Sequence, residues 1–283
     1  MNREESSRNA DDKVVKGFGS EWAHFPQDEL DPADHEAIFA EYFAIFPWEK
    51  LPANPVGTDI GCGSGRWAKL VAPRVGTLHC VDASVDALNV ARRNLALNTN
   101  VQFHVRSVDE LPFASNSLDF AYSLGVLHHV PDTAAAIRSV AQCVKPGAPV
   151  LLYLYYGFDN RPAWFRGLWQ LSELGRATIA KLPDRPKQLV CEIIAGLVYY
   201  PLARAAKVLD RLGMLPAAWP LSAYRDRTFY VMRTDSLDRF GTRLEQRFTR
   251  VQITRMMTDA GLRDIVFSNA SPFWCAVGTK GAA

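Results

Sequence analysis

The feature that most constrains this chain is a glycine run at the end of a short apolar stretch. Val56-Gly57-Thr58-Asp59-Ile60 leads directly into Gly61-Cys62-Gly63-Ser64-Gly65, and residues 66–75 then carry helical spacing. Glycines at that junction allow a tight strand-to-helix turn and let a ligand lie against bare backbone, while the first helical turn presents unpaired N–H groups. Residues 77–81 read as a second buried strand, so strand, helix and strand follow within about 30 residues, the length of a βαβ unit with parallel strands.

The alternation continues with a helix over 85–98, strands over 102–106 and 118–123, a helix over 133–143 and a strand over 150–155. Near-continuous apolar strands of this kind are buried on both faces. A helix over 249–260, closed by Gly261, and strands over 265–268 and 274–279 complete the pattern. The expected fold is α/β: a Rossmann-like, seven-stranded, mostly parallel sheet with an antiparallel last strand, helices on both faces and an inserted helical lid subdomain after the fifth strand. Residues 1–12 are polar and expected to be disordered, 13–50 form an N-terminal helical segment, 51–156 the core, 157–233 the insertion, and 234–283 the remainder of the core.

Composition narrows the function classes. With 283 residues, 48% hydrophobic, and a net charge of +2, the chain has no overall attraction to nucleic acid. Its five cysteines are scattered, without CxxC or Cys/His spacing, which speaks against a disulfide framework and against a zinc or other metal site and fits a reducing cytoplasm. The first residues lack the apolar stretch of a secretory signal, so no export is expected. The most apolar run, 189–202, is interrupted by Glu192, is read as ended by Pro201, and falls short of the ~20 residues that cross a bilayer. No transmembrane segment is expected; a homodimer contact, a tunnel for a lipid substrate or a peripheral membrane surface stays open for it.

Two acids stand at strand ends. Asp59, two residues before Gly61, is placed to receive the cationic amino group of an amino-acid-containing cofactor, whereas it would repel a pyrophosphate. It favours S-adenosylmethionine over NAD, as does Arg66, which stands where the GxGxxG of dinucleotide-binding proteins needs its third glycine. Asp82 closes the second strand, where a carboxylate can accept from two ribose hydroxyls. His128-His129 follow the fourth strand on the rim where ligands bind in open parallel sheets, and an imidazole there suits a general base; for His129 a structural or positioning role competes with that reading.

Four stretches together, VGTDIGCGSGRWA, CVDASVDALNVAR, SVDELPFASNSLDFAYSLGVLHHVPD and VKPGAPVLL, resemble the class I S-adenosylmethionine-dependent methyltransferases, and within them the group that includes the ubiquinone-biosynthesis methyltransferases. The resemblance implies that Asp59, Gly61, Cys62 and Gly63 hold the methionine end of S-adenosylmethionine. It places the ribose on Asp82, one adenine face on Ala83, the adenine edge on Ser107 and Val108, and the cofactor's middle on Leu124. Members of the family commonly carry an acid where Ser107 stands, so Asp109 is a candidate substitute. Phe18-Gly19-x-x-Trp22 resembles the aromatic segment that folds over the cofactor in such enzymes; an aromatic anchor packing on the core is the equal alternative.

The implied activity is methyl transfer to a small molecule with release of S-adenosylhomocysteine, on oxygen, nitrogen or carbon. Tyr156, Arg225 and Tyr230 are the candidate acceptor contacts, for a molecule of aromatic, sugar-containing or lipid-like character. A noncatalytic S-adenosylmethionine-binding regulator is the main alternative, with an NAD-dependent oxidoreductase and an RNA methyltransferase behind it.

Overall fold

The computed structural model describes residues 9–27 and 30–282, which divide into two compact units. The first comprises residues up to 27, 36–157 and 244–283; the second comprises 28–35 and 158–243.

The first unit is a seven-stranded sheet. Its strands are β1 (Val56–Ile60), β2 (Thr77–Asp82), β3 (Val101–Val105), β4 (Phe120–Leu124), β5 (Pro149–Tyr153), β6 (Leu262–Phe267) and β7 (Cys275–Lys280), in the order β3-β2-β1-β4-β5-β7-β6. β1 to β5 pair in parallel, and β7 runs antiparallel between β5 and β6. Side chains alternate between two cores, as the two-residue period of a strand requires. Ile60, Val81, Ala121 and Leu152 pack with α5 (Thr133–Cys143) and α10 (Arg250–Asp259). Cys80, Phe120, Tyr122 and Leu151 pack on the other face with α3 (Arg66–Val71), α4 (Val85–Asn94), Phe39 of α2 (Pro32–Tyr42) and Phe43 just after it. The expected topology, including the antiparallel last strand, is the one found.

Helix α1 (Asp12–His24) precedes the sheet; the Asp11 carboxylate caps it by accepting from Lys13 and Val14 N–H. This corrects the expectation of disorder for residues 9–12: Asn9 donates its backbone N–H to Asp109 and its side-chain amide to the Asp132 carbonyl, and its side-chain oxygen accepts from Asp132 N–H. Residues 1–8 of that expectation lie outside the described residues.

The second unit is helical: α6 (Ala163–Ile179), α7 (Asp184–Ile194), a π-helical turn (Ala195–Tyr199), α8 (Tyr200–Arg211) and α9 (Phe229–Gly241). The expected end of the insertion at residue 233 falls inside α9, and the unit runs to Arg243. Pro201 does not end the apolar run. A proline removes one backbone donor, and the wide turn just before it absorbs the irregularity, so a single helix continues from Asp184 to Arg211. Its 28 residues are long and apolar enough, by length and composition, to cross a membrane, which corrects the reading that the run is too short.

Candidate active site

Connections leave β1 and β4 toward opposite ends of the sheet order, and the crevice beyond the carboxyl ends of these neighbours is where open α/β sheets take ligands. Asp59 lies there on β1, in register with Tyr122 of β4 and Cys80 of β2. It is 1% exposed, and among the described residues neither carboxylate oxygen accepts a hydrogen bond of good geometry, the Tyr122 hydroxyl being its polar neighbour. Burial pushes its pKa up to about 8; the Tyr122 hydroxyl dipole and the charge of Arg66 draw it down, and the charge of Asp82 pushes it further up. A buried acid in this state fits a ligand that brings a cation to it.

The glycine turn is tied to the end of β2. Gly61 and Cys62 N–H donate to the Val81 carbonyl at 2.7 and 3.1 Å. Gly63 N–H donates to Asp82 Oδ2 at 2.9 Å and Ser84 N–H to Asp82 Oδ1 at 2.8 Å. Each Asp82 oxygen keeps lone-pair capacity beyond these bonds, since a carboxylate offers about four acceptor sites. Burial raises the Asp82 pKa, and the two N–H groups hold it down.

At Gly63 (φ +55°) a Cβ would meet the Trp22 indole at 2.8 Å, and at Gly61 (φ +74°) it would meet Val126 at 2.4 Å. Both left-handed conformations and both close approaches require glycine. Gly63→Ala is expected to weaken S-adenosylmethionine binding by at least ~tenfold, from strain of about 1–3 kcal/mol. An unchanged Kd in a calorimetric titration would take Gly63 out of the cradle.

Helix α1 brings two aromatic side chains to this rim. The Trp22 ring has the Arg66 guanidinium 5.9 Å from its centroid, and the Phe18 ring lies 4.9 Å from that of His129. On the β3 side, Ser107 Oγ donates to Asp109 Oδ1 at 2.5 Å, and Asp109 Oδ2 accepts from Asn9 N–H. With its proton committed to Asp109, the Ser107 oxygen is an acceptor suited to an amino group. Val108 and Leu124 are buried in the cores, while Ala83 and Cys62 stand beside Asp82 and Gly63 in the chain.

His128 and His129 form a short 3₁₀ turn with Leu127 after β4. His129 Nδ1 donates to the Leu244 carbonyl at 2.6 Å, which fixes the tautomer and leaves the lone pair on Nε2. His128 is fully buried, its two ring nitrogens have no hydrogen-bond partner among the described residues, and its ring stacks on Tyr155 with centroids 3.8 Å apart. Burial, reinforced by His129 and Arg247, holds its pKa well below the usual imidazole value, so the ring is neutral.

The segment 244–248 laces this cluster together and was not singled out by the sequence. Besides Leu244, Gln246 N–H donates to the His128 carbonyl, Phe248 N–H to the Tyr155 carbonyl, and the Arg247 guanidinium sits 4.9 Å from the Tyr155 ring centroid. Arg247 pairs with Glu245, whose side chain is 1% exposed. The only signal was indirect: charges two apart, Glu245 and Arg247, just before the Thr249 to Gln252 capping box, read as an extended strip entering a helix.

Of the three expected acceptor contacts, Tyr156 packs its ring on Phe273 and Trp274, and it is the preceding Tyr155 that meets the histidines. Arg225 and Tyr230 belong to the helical unit. There Arg225 is engaged by Asp210 and Asp226, and Tyr230 is buried in α9.

A sheet of this order, with a buried acid ending β1, a glycine turn and a carboxylate ending β2, defines a domain built for an adenosyl amino acid. Residues 58–152 match the family described as methyltransferase domain. The chain is 30% identical over 169 residues to the ubiquinone biosynthesis O-methyltransferase of Alkalilimnicola ehrlichii, covering 54% of this chain and 67% of that protein. It is 28% identical over 174 residues to the enzyme of the same name from Xanthomonas oryzae pv. oryzae, covering 54% and 70%. A Haloferax volcanii methyltransferase solved in complex with the Trm112 activator shares the fold, with a TM-score of 0.50 at 15% identity over 94% of this chain and 98% of that one. The chain belongs to the class I S-adenosylmethionine-dependent methyltransferases. Its cofactor is S-adenosylmethionine.

Proposed function

We propose that the enzyme methylates a hydroxyl oxygen of a small aromatic acceptor, with His129 as the base. The observation that carries this reading is the bond from His129 Nδ1 to the Leu244 carbonyl, which makes Nε2 the basic atom of a ring held in one orientation. The printed names of the Xanthomonas and Alkalilimnicola relatives, both O-methyltransferases, support it.

S-adenosylmethionine supplies an electrophilic methyl on a sulfonium leaving group. Asp59 would receive the amino group of the methionine end, Asp82 the ribose hydroxyls, and Ser107 the adenine amino group. His129 Nε2 would take the proton from the acceptor hydroxyl, leaving its oxygen free to accept the methyl group that the sulfonium would supply. Tyr155 and Phe18 flank the histidines with rings that suit an aromatic acceptor. His128, neutral and buried with unpaired nitrogens, offers a hydrogen bond to a second polar group of the acceptor. The five cysteines are buried and none forms a disulfide, which supports a reducing, cytoplasmic setting.

The test is a labelled-methyl transfer screen over phenolic, sugar, quinone and lipid acceptors. Label on the oxygen of phenolic acceptors is the expected result. Label on nitrogen or carbon alone contradicts the O-methylation, and binding of S-adenosylmethionine without S-adenosylhomocysteine formed from any acceptor favours the noncatalytic regulator.

A further inference from the structure

The helical unit reverses the usual arrangement of polar and apolar side chains. On α6, Trp164, Leu168, Leu171 and Leu174 recur at helical spacing and are 49–70% exposed. The charged residues Glu173 and Arg176 of the same helix turn inward, paired with each other, and Glu173 also pairs with Arg239 of α9. The long helix repeats the pattern. Leu189, Ile193, Leu197 and Tyr200 are 45–75% exposed, while Glu192 pairs with Arg233 of α9 and the small residues Cys191, Ala195 and Ala203 are buried. Both helices pack on α9. A soluble helical unit places its leucines against its neighbour; on these two helices leucines face outward instead, and Glu173 and Glu192 are among the side chains turned to α9.

Charge indicates what covers these faces. Residues 157–214 carry nine Lys/Arg against five Asp/Glu, whereas the whole chain carries 32 against 30. Arg166 at the start of α6, Lys181 and Arg185 at its junction with α7, and Arg211 at the end of α8 are exposed. Basic residues at the ends of apolar helical faces, with a tryptophan and a tyrosine on those faces, match the interface of an anionic bilayer: rings at headgroup level, leucines below, cations against phosphate. We propose that α6 and the Asp184–Arg211 helix seat the enzyme on an anionic lipid bilayer, lying in one leaflet without crossing it, because the packed side of each helix rests on α9.

The experiment is flotation of the full chain with vesicles of phosphatidylcholine alone and of phosphatidylcholine with phosphatidylglycerol. The expected result is binding to the anionic vesicles at least ~tenfold stronger than to neutral ones. Leu171→Glu/Leu174→Glu and Leu189→Glu/Leu197→Glu are expected to reduce that binding by at least ~tenfold. Their S-adenosylmethionine affinity and circular dichroism should be unchanged, which reports folding. As an independent reading, anionic vesicles should shift the tryptophan emission to shorter wavelength in the native chain and less in Trp164→Phe. No flotation of the native chain, or variants that float as it does, would overturn the proposal. So would a solution dimer that both glutamate variants dissociate while vesicle binding stays unaltered, since a second copy would then be what covers these faces.

Discussion

Asp59→Asn is expected to bind S-adenosylmethionine about 150- to 5000-fold more weakly while making the free protein more stable. The loss follows from removing the anion that faces the cofactor's amino group in a buried site, where leaving one charge unpaired costs about 3–5 kcal/mol. The gain follows from linkage. In the folded protein the Asp59 carboxyl keeps its proton up to about pH 8, whereas an exposed aspartate loses it near 3.8. The folded state therefore binds the extra proton, and stability falls as pH rises from about 4 through about 8. An amide has no such dependence. At pH 8 the variant should melt at least ~3 °C above the wild type, the shift of about 1 kcal/mol in a chain of this size, and at pH 4 the two should coincide. Thermal denaturation at both pH values decides it; a variant that melts lower at pH 8 would mean that Asp59 is held by partners in the free protein.

His129→Ala is expected to lower kcat by roughly 10²- to 10⁴-fold, the contribution of a positioned general base, with little change in cofactor Kd. A merely structural role would also lower activity, so the acidity of the acceptor is the discriminating variable. For phenols already ionised at the assay pH there is no proton for Nε2 to take, and the penalty should shrink toward tenfold or less. A loss equal for acidic and weakly acidic phenols would make His129 a positioning residue. His128 is the weaker candidate for the base because burial holds its ring, stacked on Tyr155, well below the usual imidazole range, whereas the Leu244 carbonyl fixes the tautomer of His129.

The proposed cofactor half of the site was legible in the sequence because its determinants are local. Asp59, Gly61 and Gly63 lie within five residues, their roles depend on one strand-to-helix turn, and Asp82 follows from the period of the next strand. The acceptor half was not, since its key partner is a backbone carbonyl 115 residues from His129 and carries no side-chain signature. That Tyr155, and not the expected Tyr156, meets the histidines also rests on a distinction the sequence does not carry. Successive side chains in the extended stretch after β5 point to opposite sides, so one residue decides between the His pair and the Phe273–Trp274 cluster. Pro201 misled for a different reason: it breaks a regular α-helical ladder, but a π turn before it lets the helix continue, which is a property of the folded helix and not of the residue.

The protonation of Asp59 gives the most direct test of how the cofactor is held. Calorimetric titration of the enzyme with S-adenosylmethionine at pH 7, repeated in buffers of different ionisation enthalpy, counts protons exchanged on binding. With Asp59 at about 8 in the free enzyme and ionised against the amino group in the complex, close to one proton should be released per cofactor. An α-amino group titrating near ~8 takes back only a small fraction of it. In Asp59→Asn, titrated at higher concentration, the release should vanish. Equal proton counts for the two proteins would contradict the assignment of Asp59 as the acid that receives the cofactor.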